Sequence, residues 1–161
     1  MLLKTRSKIQ WKTEERYFDG ELYAALKSTS VNELSIEGVN AFGLRSLIRR
    51  EQVRKMMDYC TNITIMSVRK VVIMDLHLFT RMIYIKHLEL VDVGILKACV
   101  LHRIISGCKD LVHLNLKDNT NFNYYLHNNK PRLPISLEYL NLSGTSCNKE
   151  VVMGRCFIVK V

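Results

Sequence analysis

His87, Glu89 and His113 are the residues of this chain best suited by type to hold a metal ion, because two imidazoles and a carboxylate can ligate zinc. His87 and Glu89 fall on one predicted strand and no fourth ligand accompanies them, so solvated strand residues are the simpler account. Cys60 and Cys108 raise the possibility of a thiolate nucleophile. Each sits just ahead of an apolar run, at a position that predicts burial, and a buried thiol behaves as a small, inert apolar group. The chain contains no phosphate-binding glycine loop, no GxSxG, no HExxH and no recognisable carboxylate pair. These residues point away from an enzyme: no catalytic residue, no cofactor and no metal are expected.

Charge offers a different chemistry. The 161 residues hold 24 Lys+Arg against 15 Asp+Glu, a formal net charge of +9. Arg45, Arg49, Arg50, Arg54 and Lys55 cluster, with Arg69 and Lys70 following. Such a cluster can bind phosphates through counterion release, which makes a basic RNA- or anionic-surface-binding protein the rival reading. Only Phe42 and Tyr59 flank the cluster as stacking aromatics, so a solvated helix face is preferred and nucleic acid is not the expected partner. No apolar run reaches the roughly 18–20 residues that a membrane-spanning helix needs. Lys4, Arg6 and Lys8 break up the amino terminus before any secretory apolar core can form. Cys60, Cys99, Cys108, Cys147 and Cys156 are odd in number and form no CxxC pair. That usage suits a reducing, intracellular compartment, cytoplasm or nucleus.

The elements that must position these side chains show in the leucine pattern. Leu111-Val112-His113-Leu114-Asn115-Leu116 and Leu137-Glu138-Tyr139-Leu140-Asn141-Leu142 are both LxxLxL, and stepping back by the same interval lands on Ile85-Lys86-His87-Leu88-Glu89-Leu90. Weaker copies stand at Ile63–Val68 and Val31–Ile36. In each, LxL reads as a short strand with its leucines inward and the intervening residues outward. The expected core is Leu34, Ile36, Ile63, Met66, Val68, Ile85, Leu88, Leu90, Leu111, Leu114, Leu116, Leu137, Leu140 and Leu142. Between the strands, residues 42–60 and 94–107 carry apolar stripes at helical spacing, and residues 11–27 read as a helical cap. The aromatic stretch Tyr124, Tyr125 and His127 reads as a connector.

With its 26-residue interval and the Cys preceding LxxLxL at Cys60 and Cys108, the chain resembles the leucine-rich repeat family, in its cysteine-containing subclass, over roughly residues 28–147. That subclass includes F-box leucine-rich repeat proteins and Zyg/Zer-type receptor subunits of cullin–RING ubiquitin ligases. The resemblance implies an α/β solenoid of about five repeats, with short parallel strands on a concave face and helices or loops on a convex face. Residues 1–27 would then be an N-terminal flank and residues 148–161 a tail, a truncated further repeat. It also implies a non-catalytic protein-binding module, a substrate receptor in a cullin–RING ligase, with a generic repeat scaffold as the plainer version. The binding residues would be the outward ones: Glu33, Ser35, Glu37, Ser67, Arg69, His87, Glu89, His113, Asn115, Lys117, Tyr139 and Asn141. A protein or peptide target is expected there, with ligase subunits elsewhere and no membrane contact.

Overall fold

A computed structural model describes residues 2–4, 8–13, 20–27, 31–38, 45–73, 81–94, 98–120, 133–146 and 158–160. Strands β1 (Leu2–Lys4) and β2 (Lys8–Thr13) precede helix α1 (Gly20–Lys27), followed by β3 (Glu33–Gly38) and β4 (Ser46–Ile48). Helix α2 (Arg50–Tyr59), strands β5 (Ile65–Arg69), β6 (Val71–Ile73) and β7 (His87–Val91), and helix α3 (Ala98–Gly107) come next. Strands β8 (His113–Asn115), β9 (Tyr139–Asn141) and β10 (Ile158–Lys160) complete the order.

Eight strands form one continuous sheet in the order β1-β2-β3-β5-β7-β8-β9-β10. β1 runs antiparallel to β2, and every later pairing in that sheet is parallel. The leucine recurrence sets the register: Met66 pairs with Leu88, Leu88 with Leu114, and Leu114 with Leu140. Backbone carbonyls tie the strand starts together in the same rhythm. Asn32 O accepts from Thr64 and Ile65 N–H, Thr64 O from Lys86 and His87, Lys86 O from Val112 and His113, and Val112 O from Glu138 and Tyr139. One carbonyl thus takes two consecutive donors from the next strand, leaving few backbone groups unpaired where the strands begin.

One face of the sheet is sealed. All fourteen residues of the expected core are buried, along with Ile9 and Trp11 of β2. α2 contributes Val53, Met56 and Met57, and α3 contributes Ile104 and Ile105. The spacing Val53, Met56, Met57, Cys60 places one apolar stripe against the sheet. Gln52 accepts a hydrogen bond from the Arg49 N–H at 2.7 Å, closing the first turn of α2. Gly38, ending β3, lets the Lys70 carbonyl approach so closely that a Cβ would lie 2.1 Å from its oxygen.

Several expectations are corrected here. A solenoid of about five alternating repeats is not what forms. Among the described residues there are three helices, a second two-stranded sheet of β4 and β6, and one continuous sheet, which make a mixed α/β fold. The reason lies in the intervals. The 26-residue step holds only from β7 to β8 to β9, whereas Leu34 to Met66 is 32 residues and Met66 to Leu88 is 22, and a helix is described in only some of these gaps. The stripe over 42–60 is not one helix. Ser46–Ile48 is a strand paired with Val71–Ile73, and the helix starts only at Arg50. The cap expected over 11–27 is likewise split between β2 and α1. Residues 124–127, Leu44 and Leu96 lie outside the described residues. Part of the tail, Ile158–Lys160, pairs parallel to β9.

Candidate functional site

The open face of the sheet carries the outward residues in rows fixed by strand register. One row runs Lys8, Glu33, Ile65, His87, His113, Tyr139. The next runs Gln10, Ser35, Ser67, Glu89, Asn115, Asn141, and a third runs Lys12, Glu37, Arg69, Val91. Neighbouring strands lie about 4.8 Å apart, so side chains along a row touch. Over β2, β3, β5 and β7 these rows line a groove of about 540 Å³ that reaches His113 on β8.

Aromatic stacking organises the first row. The His87 and His113 rings stand 5.6 Å apart, and the His113 and Tyr139 rings 4.1 Å apart at an interplanar angle of 5°. Ile65, 38% exposed, extends this strip toward β3. The result is a flat apolar and aromatic band crossing four strands.

Ion pairs organise the β2 and β3 end of the first row and the rows beside it. Lys8 pairs with Glu33. Lys12 Nζ lies 3.4 Å from Glu37 Oε2, and Arg69 Nη2 lies 2.5 Å from Glu89 Oε2. Ser67 Oγ donates to the same Glu89 oxygen at 2.9 Å and accepts from Arg69 Nε at 3.2 Å. Burial pushes the Glu89 carboxyl up, but hydrogen bonds from Arg69 and Ser67 and the guanidinium charge outweigh it, and the net effect holds it below the usual carboxylate range. Three cations and three anions line the groove, so its formal charge is 3 − 3 = 0.

His113 differs from its neighbours. Its Nε2 is buried without a hydrogen-bond partner among the described residues, 3.7 Å from Glu89 Oε1. Burial lowers its basicity, Glu89 works in the opposite direction, and His87 adds to the lowering, leaving it below the usual imidazole value.

Of the residues singled out from the sequence, Glu33, Ser35, Glu37, Ser67, Arg69, His87, Glu89 and His113 line the groove. Tyr139 joins through the stack. Asn115 and Asn141 lie outside the groove: Asn115 Oδ1 accepts from the Lys117 N–H while its Nδ2 donates to Glu89 Oε1 at 3.5 Å, and Asn141 Oδ1 accepts from the N–H and hydroxyl of Ser143. Lys117 lies beside Asp118, 3.8 Å away, off the groove. Lys8, Gln10 and Lys12 were missed, because residues 1–27 read as a flank. The alternation Lys8-Ile9-Gln10-Trp11-Lys12 is the strand signal that would have found them.

The other chemistries find little support in the geometry. No metal-binding cluster occurs among the described residues. Cys60 and Cys108 are free, buried thiols pushed up by burial to about 12 and about 11. Cys108 Sγ donates to the Met82 carbonyl at 3.2 Å, as a packed structural thiol does. In the basic cluster, Arg45 is engaged by Asp92 at 2.5 Å and Lys55 by Glu51 at 3.6 Å.

No family model, no curated protein and no solved structure matches this chain. The mixed α/β topology corrects the expected membership of the leucine-rich repeat family. The derived role falls with it. Neither a repeat scaffold nor a substrate receptor of a cullin–RING ligase follows from this fold, and the expected concave repeat surface is instead the open face of a single sheet. No helix among the described residues is long and apolar enough to cross a membrane.

Proposed function

We propose that the open sheet face is a non-catalytic binding surface for an extended protein segment. The observation that carries this reading is the pairing of a flat aromatic strip with a charge-balanced groove in the adjoining rows. A polypeptide supplies what such a surface can use: side chains to stack on the imidazoles and phenol, and amides to bond Gln10 and Ser35. A polyanion gains little where every groove cation already has an anion beside it. Catalysis is not needed to account for any of these contacts. The two buried, free thiols support an intracellular setting, cytoplasm or nucleus.

The test is selection of random peptides on the immobilised full chain, with the recovered peptides retested on variants. Tyr139→Ala and Ser35→Arg should each weaken a recovered peptide about tenfold or more, whereas Arg54→Ala on α2 should leave it unchanged. Recovery of no peptide, or equal binding by all three variants, would sink the proposal.

A further inference from the structure

His113 Nε2 is buried and has no hydrogen-bond partner among the described residues, with Glu89 Oε1 3.7 Å away. Its ring is held between His87 and Tyr139. The charged and titratable groups facing it are His87 and Glu89 from β7 and Tyr139 from β9, with Arg69 of β5 behind Glu89; Lys117 follows on its own chain. Glu89 Oε1 is the nearest anion, at 3.7 Å, yet the Glu89 charge is already matched by Arg69 at 2.5 Å. A proton on His113 therefore adds a net positive charge to a groove whose three anions are each already matched by a cation.

We propose that His113 makes this groove acid-responsive, so that its protonation turns a charge-balanced surface into a cationic one and strengthens capture of a protein segment bearing carboxylates. This rests on the reading of the sheet face as a polypeptide-binding surface. Burial and His87 lower the basicity of His113 and Glu89 opposes them, which places the response on the acid side of the ordinary imidazole value. A carboxylate bound in the groove offsets the added charge at the open face without needing to reach the buried Nε2. By linkage, it must raise the His113 titration midpoint by the same factor by which acid tightens binding.

The probe is a fluorescein-labelled peptide of alternating Glu and Tyr, titrated into the full chain between about pH 7.5 and about pH 5.5. Wild type should bind it about tenfold tighter at the acid end, and the His113 imidazole signal should titrate at higher pH with the peptide present. His113→Phe keeps a stacking ring and should abolish the acid response, and His113→Gln should do the same if the larger ring perturbs the sheet. Glu89→Gln removes an anion and should bind the probe at neutral pH without acid. Binding that is flat with pH in wild type, or an acid response that survives both His113 variants, overturns the acid mechanism while leaving peptide binding intact. No binding of the probe at any pH, by a chain whose near-ultraviolet spectrum is native, overturns both readings.

Discussion

Lys70, Asp92 and Asp118 hold left-handed backbone conformations, with φ of 54°, 53° and 61°, and Gly144 holds the fourth, at 71°. Each follows a sheet strand, and the Lys70, Asp92 and Asp118 amides donate to Val91, Lys117 and Ser143 carbonyls respectively. The turn is thus imposed by the ladder and not by the residue, and a lysine pays for it in steric strain. Lys70→Gly should stabilise the protein by about 0.5–1 kcal/mol, the strain relieved less the added unfolded-state entropy. Urea denaturation would reveal the opposite sign if the Lys70 side chain mattered more. Asn119 is the converse case. It is 2% exposed, its Oδ1 accepts from Val93 N–H at 2.8 Å, and its Nδ2 donates to Leu90 O at 2.6 Å and Leu116 O at 2.7 Å. Asn119→Ala leaves those buried groups unpaired and should cost about 3 kcal/mol, read from the same denaturation curves.

Among the elements, β7, β8 and β9 form the regular part of the sheet. Leu88, Leu114 and Leu140 are all buried and in register, so each leucine packs against its equivalents on the neighbouring strands. Leu114, in the middle, is fully buried; Leu114→Ala should cost about 2–5 kcal/mol in chemical denaturation. A loss under about 1 kcal/mol would mean that the sheet collapses readily around the gap. These strands were legible because a half-buried strand alternates, and Leu-x-Leu records that alternation directly. β4 was not legible. Ser46-Leu47-Ile48 is too short to show a period, and its apolar residues merge with the helical stripe that begins at Val53. β2 was legible in principle, but the apolar residues around it suggested a helix instead.

For the whole molecule, an acid dependence of stability follows from two groove groups whose titration the fold displaces, His113 and Glu89. His113 is held below the ordinary value of 6.5, so the unfolded chain takes up the proton first. Stability is therefore full above that value and is lost as pH falls through it. Glu89 is held below its ordinary 4.5, so its contribution is lost at lower pH still, as pH falls through the folded value. Thermal melts should show two successive declines with acidification. His113→Phe should remove the first, and Glu89→Gln should deepen the first, because the anion that helps hold the His113 proton is gone. Melts whose first decline survives His113→Phe would show that another group carries it. The net charge of +9 lies away from the groove, whose own charges cancel. Binding of an uncharged peptide there should vary little with salt, unlike a phosphate-driven interaction. Isothermal titration at two ionic strengths distinguishes the two.

The sequence by itself determined the buried face. Period-two alternation and the repeated leucines name inward and outward residues without knowledge of what the chain packs against, because side-chain direction along a strand is a local property. It determined as well that the outward positions bear His, Tyr, Glu and Arg. Tertiary structure decided how those positions combine. The ordering of strands into a continuous sheet brought Lys8 and Lys12 of β2 to Glu33 and Glu37 of β3 and cancelled the groove's charge. It gave Glu89 to Arg69 and left His113 Nε2 without a hydrogen-bond partner among the described residues. Those outcomes depend on distances across strands that are far apart in the chain, and a linear pattern carries the identities of such residues but not their separation in space.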